Sequence, residues 1–289
     1  MSPPTVGVVG LGNMGAALAA NLVGAGLAVV AHDAVGPDRV PPGGEPAHDV
    51  AEVARRSDVV VLSLPDVVAG RAVTDQLVAA TDRRATHVID TSTVGVTAAE
   101  ELAGELERAG VGYVDAPVSG GVAGARARTI MVMYAGSDAA CAVVEPVIAA
   151  LSDRRRRVGD RAGMAQALKL ANNFLSATAL VAASEAVAFG LSVGLEMDVM
   201  LEVINGSSGQ SRATSDKFVN EILPGRFASG FANSLMAKDL ALYLEEVDAR
   251  HDPSTLGRTT AAVWSEFAVV EPGVDFTRIF PFVAGPPSQ

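Results

Sequence analysis

The sequence predicts an α/β chain in which an N-terminal doubly wound parallel sheet is followed by an all-α C-terminal domain linked by a long helix. Three observations carry this reading. Short Val-rich runs alternate with amphipathic segments through the first half, a glycine-rich turn follows the first of those runs, and past Val158 the strand-like runs give way to Ala/Leu-rich helical patterns. Parallel strands buried on both faces read as continuous apolar runs, and their alternation with helices is that of a doubly wound fold. At 289 residues and about 150 residues per domain, two domains are expected. We place them at 1–161 and 162–289.

In chain order, strands are expected at Val6–Val9, Ala28–His32, Val59–Ser63, His87–Asp90, Gly112–Asp115 and Thr129–Ala135. Between them, helical patterns run at Asn13–Ala25, Asp49–Arg56, Val67–Ala80, Thr97–Ala109 and Ala139–Ala150. The second half opens with one long helix from Gly163 to about Leu191, followed by helices at Asp198–Ile204, Ser211–Asn220, Ala232–Ala249 and Ser254–Ala268. The Pro-rich tail, Pro281 to Gln289, reads as extended. Arg154–Arg157 adjoins no glycine loop and reads as a solvated basic edge rather than a phosphate site.

Composition bounds the function. With 22 basic against 33 acidic residues the net charge is −11, which repels phosphate backbones, so no nucleic-acid partner is expected. A hydrophobic fraction of 49% supplies a core, and aromatics at 4% mean that Ala, Val and Leu build most of it. A single cysteine, Cys141, excludes an intramolecular disulfide and a Cys-rich zinc site; His32, His48, His87 and His251 lack ligand spacing, so no metal is expected. No basic residue precedes the first apolar run and no stretch of about 18 uncharged apolar residues occurs. These features predict no signal peptide, no membrane span and a cytoplasmic location.

The strongest local signal is Val6-Gly7-Val8-Val9-Gly10-Leu11-Gly12-Asn13-Met14-Gly15. A G-x-G-x-x-G that leaves a buried strand and opens a helix is a dinucleotide fingerprint: Gly10 allows the tight turn, Gly12 the approach of a pyrophosphate, and Gly15 the close packing of helix on sheet. The helix N-terminus adds unpaired N–H groups and the positive end of a dipole. Asp33, eighteen positions after Gly15 at the end of the second strand, suits the ribose hydroxyls and repels a 2′-phosphate, which favours NAD over NADP. Arg39 lies close enough in sequence to keep NADP possible. Two further loops, Leu62-Ser63-Leu64-Pro65-Asp66 and Asp90-Thr91-Ser92-Thr93, follow strand ends, where ligands of such folds bind. Either would, alone, be an ordinary strand-to-helix turn.

Two segments suit the substrate end of a site. In Asp115-Ala116-Pro117-Val118-Ser119-Gly120-Gly121, a strand runs through Pro into a turn with consecutive backbone N–H groups and one hydroxyl, a shape suited to a carboxylate. A plain flexible turn fits the same residues. Lys169 and Asn173 stand at i, i+4 on one face of the long helix, with Lys169 flanked by Leu168, Leu170 and Ala171. A lysine in apolar surroundings releases its proton more easily, which suits acid/base chemistry. Periodicity alone leaves open a lysine that snorkels at the helix edge.

Taken together, Gly10–Gly15, Asp115–Gly121, Lys169-Leu170-Ala171-Asn172-Asn173 and Lys238-Asp239-Leu240 resemble the β-hydroxyacid dehydrogenase family, typified by 3-hydroxyisobutyrate dehydrogenase, and Ser207–Ser211 resembles its Ser-Gly-x-Ser segment. The resemblance covers nearly the whole chain. It implies an NAD-dependent enzyme that moves a hydride between nicotinamide and a small 3-hydroxy acid or its semialdehyde. It assigns Lys169 as the acid/base, Ser119, Gly120 and Gly121 to the substrate carboxylate, and Asn173 to substrate orientation. On the cofactor side it adds Leu11, Asn13, Met14, Leu64 and Pro65 to the glycines and Asp33, Thr93 beside the nicotinamide ribose, and Lys238 from the helical domain. Homodimers or homotetramers joined through the helical domain are also implied.

The chain departs from that family at Gly124-Ala125-Arg126-Ala127-Arg128-Thr129, where Arg128 replaces a usual glycine, and at Ala165 before the lysine. We expect the Arg128 side chain to face solvent. Two competing readings are an imine reductase-like enzyme and a non-catalytic dinucleotide-binding module. The first usually lacks the lysine, and the second usually replaces it. A 6-phosphogluconate dehydrogenase would need a far larger helical domain.

Overall fold

In the computed structural model, which describes residues 3–285, six strands run parallel: β1 (Val6–Val9), β2 (Val29–His32), β3 (Glu45–Pro46), β4 (Val59–Leu62), β5 (His87–Asp90) and β6 (Gly112–Asp115). Their spatial order is β3-β2-β1-β4-β5-β6. The register is level across the sheet, with Val9 beside His32 and Leu62, Leu62 beside Asp90, and Asp90 beside Asp115. The carboxyl ends of five strands therefore stand in one row. Between them run α1 (Asn13–Gly24), α2 (Val50–Arg56), α3 (Val67–Ala79) and α4 (Val96–Arg108). Strand period two sorts the side chains: Val6, Val8, Val59 and Val61 enter a core with α1, while Val9, Val60, Leu62 and Val88 enter a second core with α2, α3 and α4. Both faces are covered, which is why these strands are uniformly apolar.

The sheet is not wholly parallel. After Pro117 comes β7 (Val118–Ser119), then α5 (Gly121–Arg126), β8 (Met131–Ala135), α6 (Asp138–Leu151) and β9 (Arg154–Gly159). β8 runs antiparallel to β6 and β7 and parallel to β9. Short β3, β7 and α5 lie below the length at which a hydrophobic period is readable. β9 was hidden by its arginines. It is an edge strand, where charge is tolerated, and Arg155 and Arg157 turn toward α6 to pair with Glu145 and Asp138. The exposed run is thus both a solvated edge and a strand.

Arg128 corrects its expectation. Its φ is +59°, a left-handed conformation that favours the glycine it replaces. Its guanidinium does not simply face water but donates to Ala150 O at 2.6 Å and Ala149 O at 3.2 Å, and pairs with Asp153 at 2.9 Å. Those carbonyls end α6, and a cation there meets the negative end of the helix. The side chain is committed to α6.

The chain divides into two units, residues 1–169 and 170–289, and α7 (Met164–Ser192) contains the division. The second unit adds α8 (Met197–Asn205), a π-helix at Ala213–Ile222, α9 (Asn233–Ala249), α10 (Thr255–Val270), a 3₁₀ turn at Phe276–Arg278 and α11 (Ile279–Ala284). The π-helix starts where an α-helix was expected. Ser211 and Thr214 cap it reciprocally, each side-chain oxygen accepting from the other's backbone N–H, which accounts for the last serine of the Ser-Gly-x-Ser segment. The expected extended tail is corrected through Ala284: Pro281 sits in the first turn of α11, where its missing N–H costs nothing, and Phe280 and Phe282 pack on the helical core. Residues 286–289 of that tail lie outside the described residues. α7 also corrects the hydropathy reading. It is long and apolar enough to cross a membrane, although Lys169 and Glu185 bound its uncharged stretch and keep that short. In the fold its Ala177, Leu180, Val181, Ala183 and Val187 line the core of the second unit.

Candidate active site

The row of strand ends in the first unit carries most of the expected cofactor residues. Gly10 leaves β1 at φ +92°, and a Cβ on it would collide with Ser63 O. A Cβ on Gly15 would collide with Gly10 O, whereas nothing lies within 4 Å of the place where one on Gly12 would stand. The loop is therefore closed on the protein side and open above Gly12, where α1 begins with no side-chain cap. Uncapped N–H groups beneath open space are what a dinucleotide pyrophosphate requires, so the residues fit that group. Leu11 N donates to Asp33 Oδ2 at 2.5 Å and Val35 N to Oδ1 at 2.8 Å. Asp33 thus clamps the glycine loop to the end of β2. Asn13 and Met14 form the first turn of α1.

The next two turns are joined to each other. Leu64 N donates to Ser92 Oγ at 2.9 Å, and Thr91 Oγ1 donates to Leu62 O at 2.6 Å. Leu64-Pro65 and Thr93 consequently flank one another's strand ends. Ser92 N is held by Asp90 Oδ1 at 2.9 Å. On the far side, Gln166 of α7 is fully buried. Its Nε2 donates to Ser92 O at 2.9 Å, its Oε1 accepts from Val94 N at 3.1 Å, and its backbone N donates to Asp115 Oδ2 at 3.0 Å.

Farther along, Ser119 closes the short ladder with Met131 of β8. Gly120 and Gly121 follow at φ +138° and +69°, so two successive left-handed residues lead into α5, and a Cβ on Gly120 would meet Ile130 Cα at 3.3 Å. Lys169 is only 7% exposed, so the residue as a whole is buried instead of lying along a solvated helix edge. In the second unit, Asn173 and Lys238 converge on one carboxylate. Asn173 Nδ2 donates to Asp239 Oδ2 at 2.6 Å and Lys238 Nζ lies 3.2 Å from Oδ1, with Asp239 3% exposed.

Two of these residues escaped sequence reasoning. Asp239 lay inside a recognised motif but had no role without its neighbours. Gln166 left a faint signal as the one polar side chain in Gly163–Leu168, a stretch otherwise of small and apolar residues.

Electrostatically, the unusual group is Asp115. Burial pushes its carboxyl up to about 7, against the hydrogen bonds from Gln166 and Gly163 and with help from neighbouring Asp90. Tyr113 donates to Asp90 Oδ2 at 3.1 Å, and burial between these acids holds its phenol well above the ordinary value. Asp115 Oδ1 is buried without a hydrogen-bond partner.

Comparison with known proteins gives a consistent picture. A family profile described as the NAD binding domain of 6-phosphogluconate dehydrogenase matches residues 5–159, and one described as NAD-binding of NADP-dependent 3-hydroxyisobutyrate dehydrogenase matches 163–282. The chain is 35% identical to 2-(hydroxymethyl)glutarate dehydrogenase of Eubacterium barkeri, over 83% of this chain and 81% of that one. It is 33% identical to the mitochondrial 3-hydroxyisobutyrate dehydrogenase of Drosophila melanogaster, over 90% and 82%. A Mycobacterium tuberculosis 3-hydroxyisobutyrate dehydrogenase structure with L-serine superposes with a TM-score of 0.91 at 32% identity, over 98% of this chain and all of that one.

The buried acid makes a pH prediction. Between pH of about 4 and about 7 the native chain holds a proton on Asp115 that the unfolded chain has lost, so this group's contribution to stability falls as pH rises through that window. Asp115→Asn keeps an acceptor for Gln166 N and carries no charge. Its melting temperature relative to the parent should therefore rise between pH 5 and pH 8 in calorimetry. A gap that stays flat with pH would show that the carboxyl is ionised throughout.

Proposed function

Because the chain belongs to the β-hydroxyacid dehydrogenase family, and so is an NAD(P)-dependent oxidoreductase acting on CH–OH groups, we propose that it interconverts a small 3-hydroxy acid of the 3-hydroxyisobutyrate kind and its semialdehyde, with NAD preferred. The observation that carries this reading is Lys169, a buried lysine one helical turn before the buried Asn173. Related chains differ in the acid for which they are named, but each name is that of a hydroxy acid or hydroxymethyl acid, and the L-serine of the Mycobacterium structure is itself a 3-hydroxy acid.

When bound, the nicotinamide supplies the hydride acceptor or donor. Gly10, Leu11, Gly12, Asn13, Met14 and Gly15 hold the pyrophosphate, Asp33 the adenosine ribose, and Leu64, Pro65, Thr93 and Lys238 the nicotinamide half. Ser119 Oγ and the amides of Gly120 and Gly121 receive the substrate carboxylate, and Asn173 orients the substrate. Lys169 Nζ, as the neutral amine, takes the hydroxyl proton as the alcohol carbon is oxidised, and as the ammonium returns it in the reverse direction. No histidine occurs in these segments to take that proton.

We further propose that the working form is a homodimer or homotetramer. Leu175, Ala182 and Phe189 recur every seven residues on α7 and are exposed, Leu175 at 65% and Phe189 at 71%. A seven-residue apolar repeat on a long helix is self-complementary and fits a second copy of the same helix.

Three measurements test these statements. Positioned acid/base catalysis is worth about 10²–10⁴-fold, so Lys169→Ala should lower kcat at least 100-fold with NAD affinity retained, and Lys169→Arg should fail likewise because guanidinium stays protonated. Near-normal turnover in Lys169→Ala would leave the lysine a structural role only. The ratio of kcat/KM for NAD over NADP should exceed one and shrink in Asp33→Ala; a parent that prefers NADP overturns the assignment of Asp33. Light scattering should give two or four times the chain mass of 29.5 kDa, and Leu175→Glu with Phe189→Glu should reduce it. A parent monomer would exclude the α7 interface.

A further inference from the structure

We infer that Gln166 is a positioning residue that sets the height of Lys169 and the place of Thr93 together, through one buried carboxamide. The inference rests on the proposed role of Lys169 but concerns a residue to which that reading gives no part. Gln166 is fully buried, and a buried amide whose four hydrogen-bonding positions were idle would be costly. It is not idle. Nε2 donates to Ser92 O and Oε1 accepts from Val94 N, so the carboxamide binds the backbone on both sides of Thr93 as a neighbouring strand would.

The same residue is tied below. Its backbone N donates to Asp115 Oδ2, which fixes the first turn of α7 to the end of β6. An acceptor at this end also meets one of the otherwise unpaired N–H groups of the first helical turn. Lys169 lies three residues on, less than one turn along a rigid helix, so any shift of Gln166 is passed to Nζ with little loss. Thr93, between the two gripped residues, has correspondingly little freedom. A flexible turn could not hold a reacting group in place; a misplacement of about 1 Å can cost on the order of 100-fold in rate.

Neither a lysine nor a hydroxyl could do this. Opposite functions are needed 2.9 Å from a carbonyl and 3.1 Å from an amide, and among side chains of this length only glutamine offers a donor and an acceptor without charge. Charge would be costly here, with Asp90 and Asp115 buried nearby.

The test uses the full chain with NAD and the best hydroxy-acid substrate. Gln166→Met keeps length and volume but leaves Ser92 O and Val94 N unpaired, while the backbone bond to Asp115 survives. Its kcat should fall at least 10-fold, with little change in binding of 5′-AMP, a probe for the adenosine half of the cofactor site alone. In the Lys169→Ala background the same change should lower the residual rate by a clearly smaller factor, because the part of its effect that passes through Lys169 is gone. Parent-like kcat in Gln166→Met overturns the inference, and so does an equal loss of rate in both backgrounds. If Gln166→Met does not fold, Gln166→Asn, which keeps the amide but is one methylene short, is measured with the same expected outcomes. Retained turnover in Lys169→Ala alone would instead overturn the role of the lysine, so the two failures are distinguishable.

Discussion

A parallel sheet ends in turns whose amides and carbonyls no further strand can pair, and a buried amide left unpaired costs about 1–3 kcal/mol. That constraint organises the first unit of this protein. Its strand ends are level, so each turn lies within side-chain reach of the next, and many of the unpaired groups are met across turns as well as within them. Asp33 serves Leu11 N, Ser92 serves Leu64 N, Asp90 serves Ser92 N, Gln166 serves Val94 N, and Asp115 serves Gln166 N. Apart from the Asp90–Ser92 bond, which lies within one turn, each bond joins a different pair of segments. The cofactor loops and the start of the lysine helix therefore form one network, and the geometry of each depends on its neighbours.

The network also reconciles an acidic protein with an anionic cofactor. A net charge of −11 opposes dinucleotide binding only at long range, and salt screens exposed charges beyond about 8–10 Å. Within that distance the relevant groups are the uncapped N–H groups of α1 above an open glycine loop. Of the acids in the row, Asp33 is occupied by two backbone amides and Asp90 by Tyr113 and Ser92. Burial pushes the Asp115 carboxyl up to about 7. The local field favours an anion where the global charge does not.

The helical unit solves a different packing problem. All nine phenylalanines and the single tryptophan lie beyond residue 169, and Trp264, Phe267 and Phe276 stack in its core. Helices pack with axes about 8–10 Å apart and few hydrogen bonds between them, so large side chains must span the gap. The sheet, with strands less than 5 Å apart, is filled by Val and Ala. In this unit one buried carboxylate, Asp239, holds Asn173 and Lys238 through its opposite oxygens.

The sequence alone determined what depends on local periodicity and on residue type. Buried strands such as Val59–Leu62 declare themselves as apolar runs, α7 by its length, and the Gly10–Gly15 turn by the spacing of its glycines. The same logic picked out Lys169, since an ammonium amid Leu and Ala needs a reason. What depends on partners distant in the chain was decided only by the tertiary structure. β9 is a strand because β8 supplies its hydrogen bonds, whatever its four arginines suggest; Arg128, still partly exposed, turns to α6 because the last carbonyls of that helix lie within reach. Gln166 and Asp239 matter through bonds spanning 51 to 74 residues, and no spacing rule along one segment encodes them. A hydrogen bond needs two partners at about 3 Å, and only the fold brings the second one there.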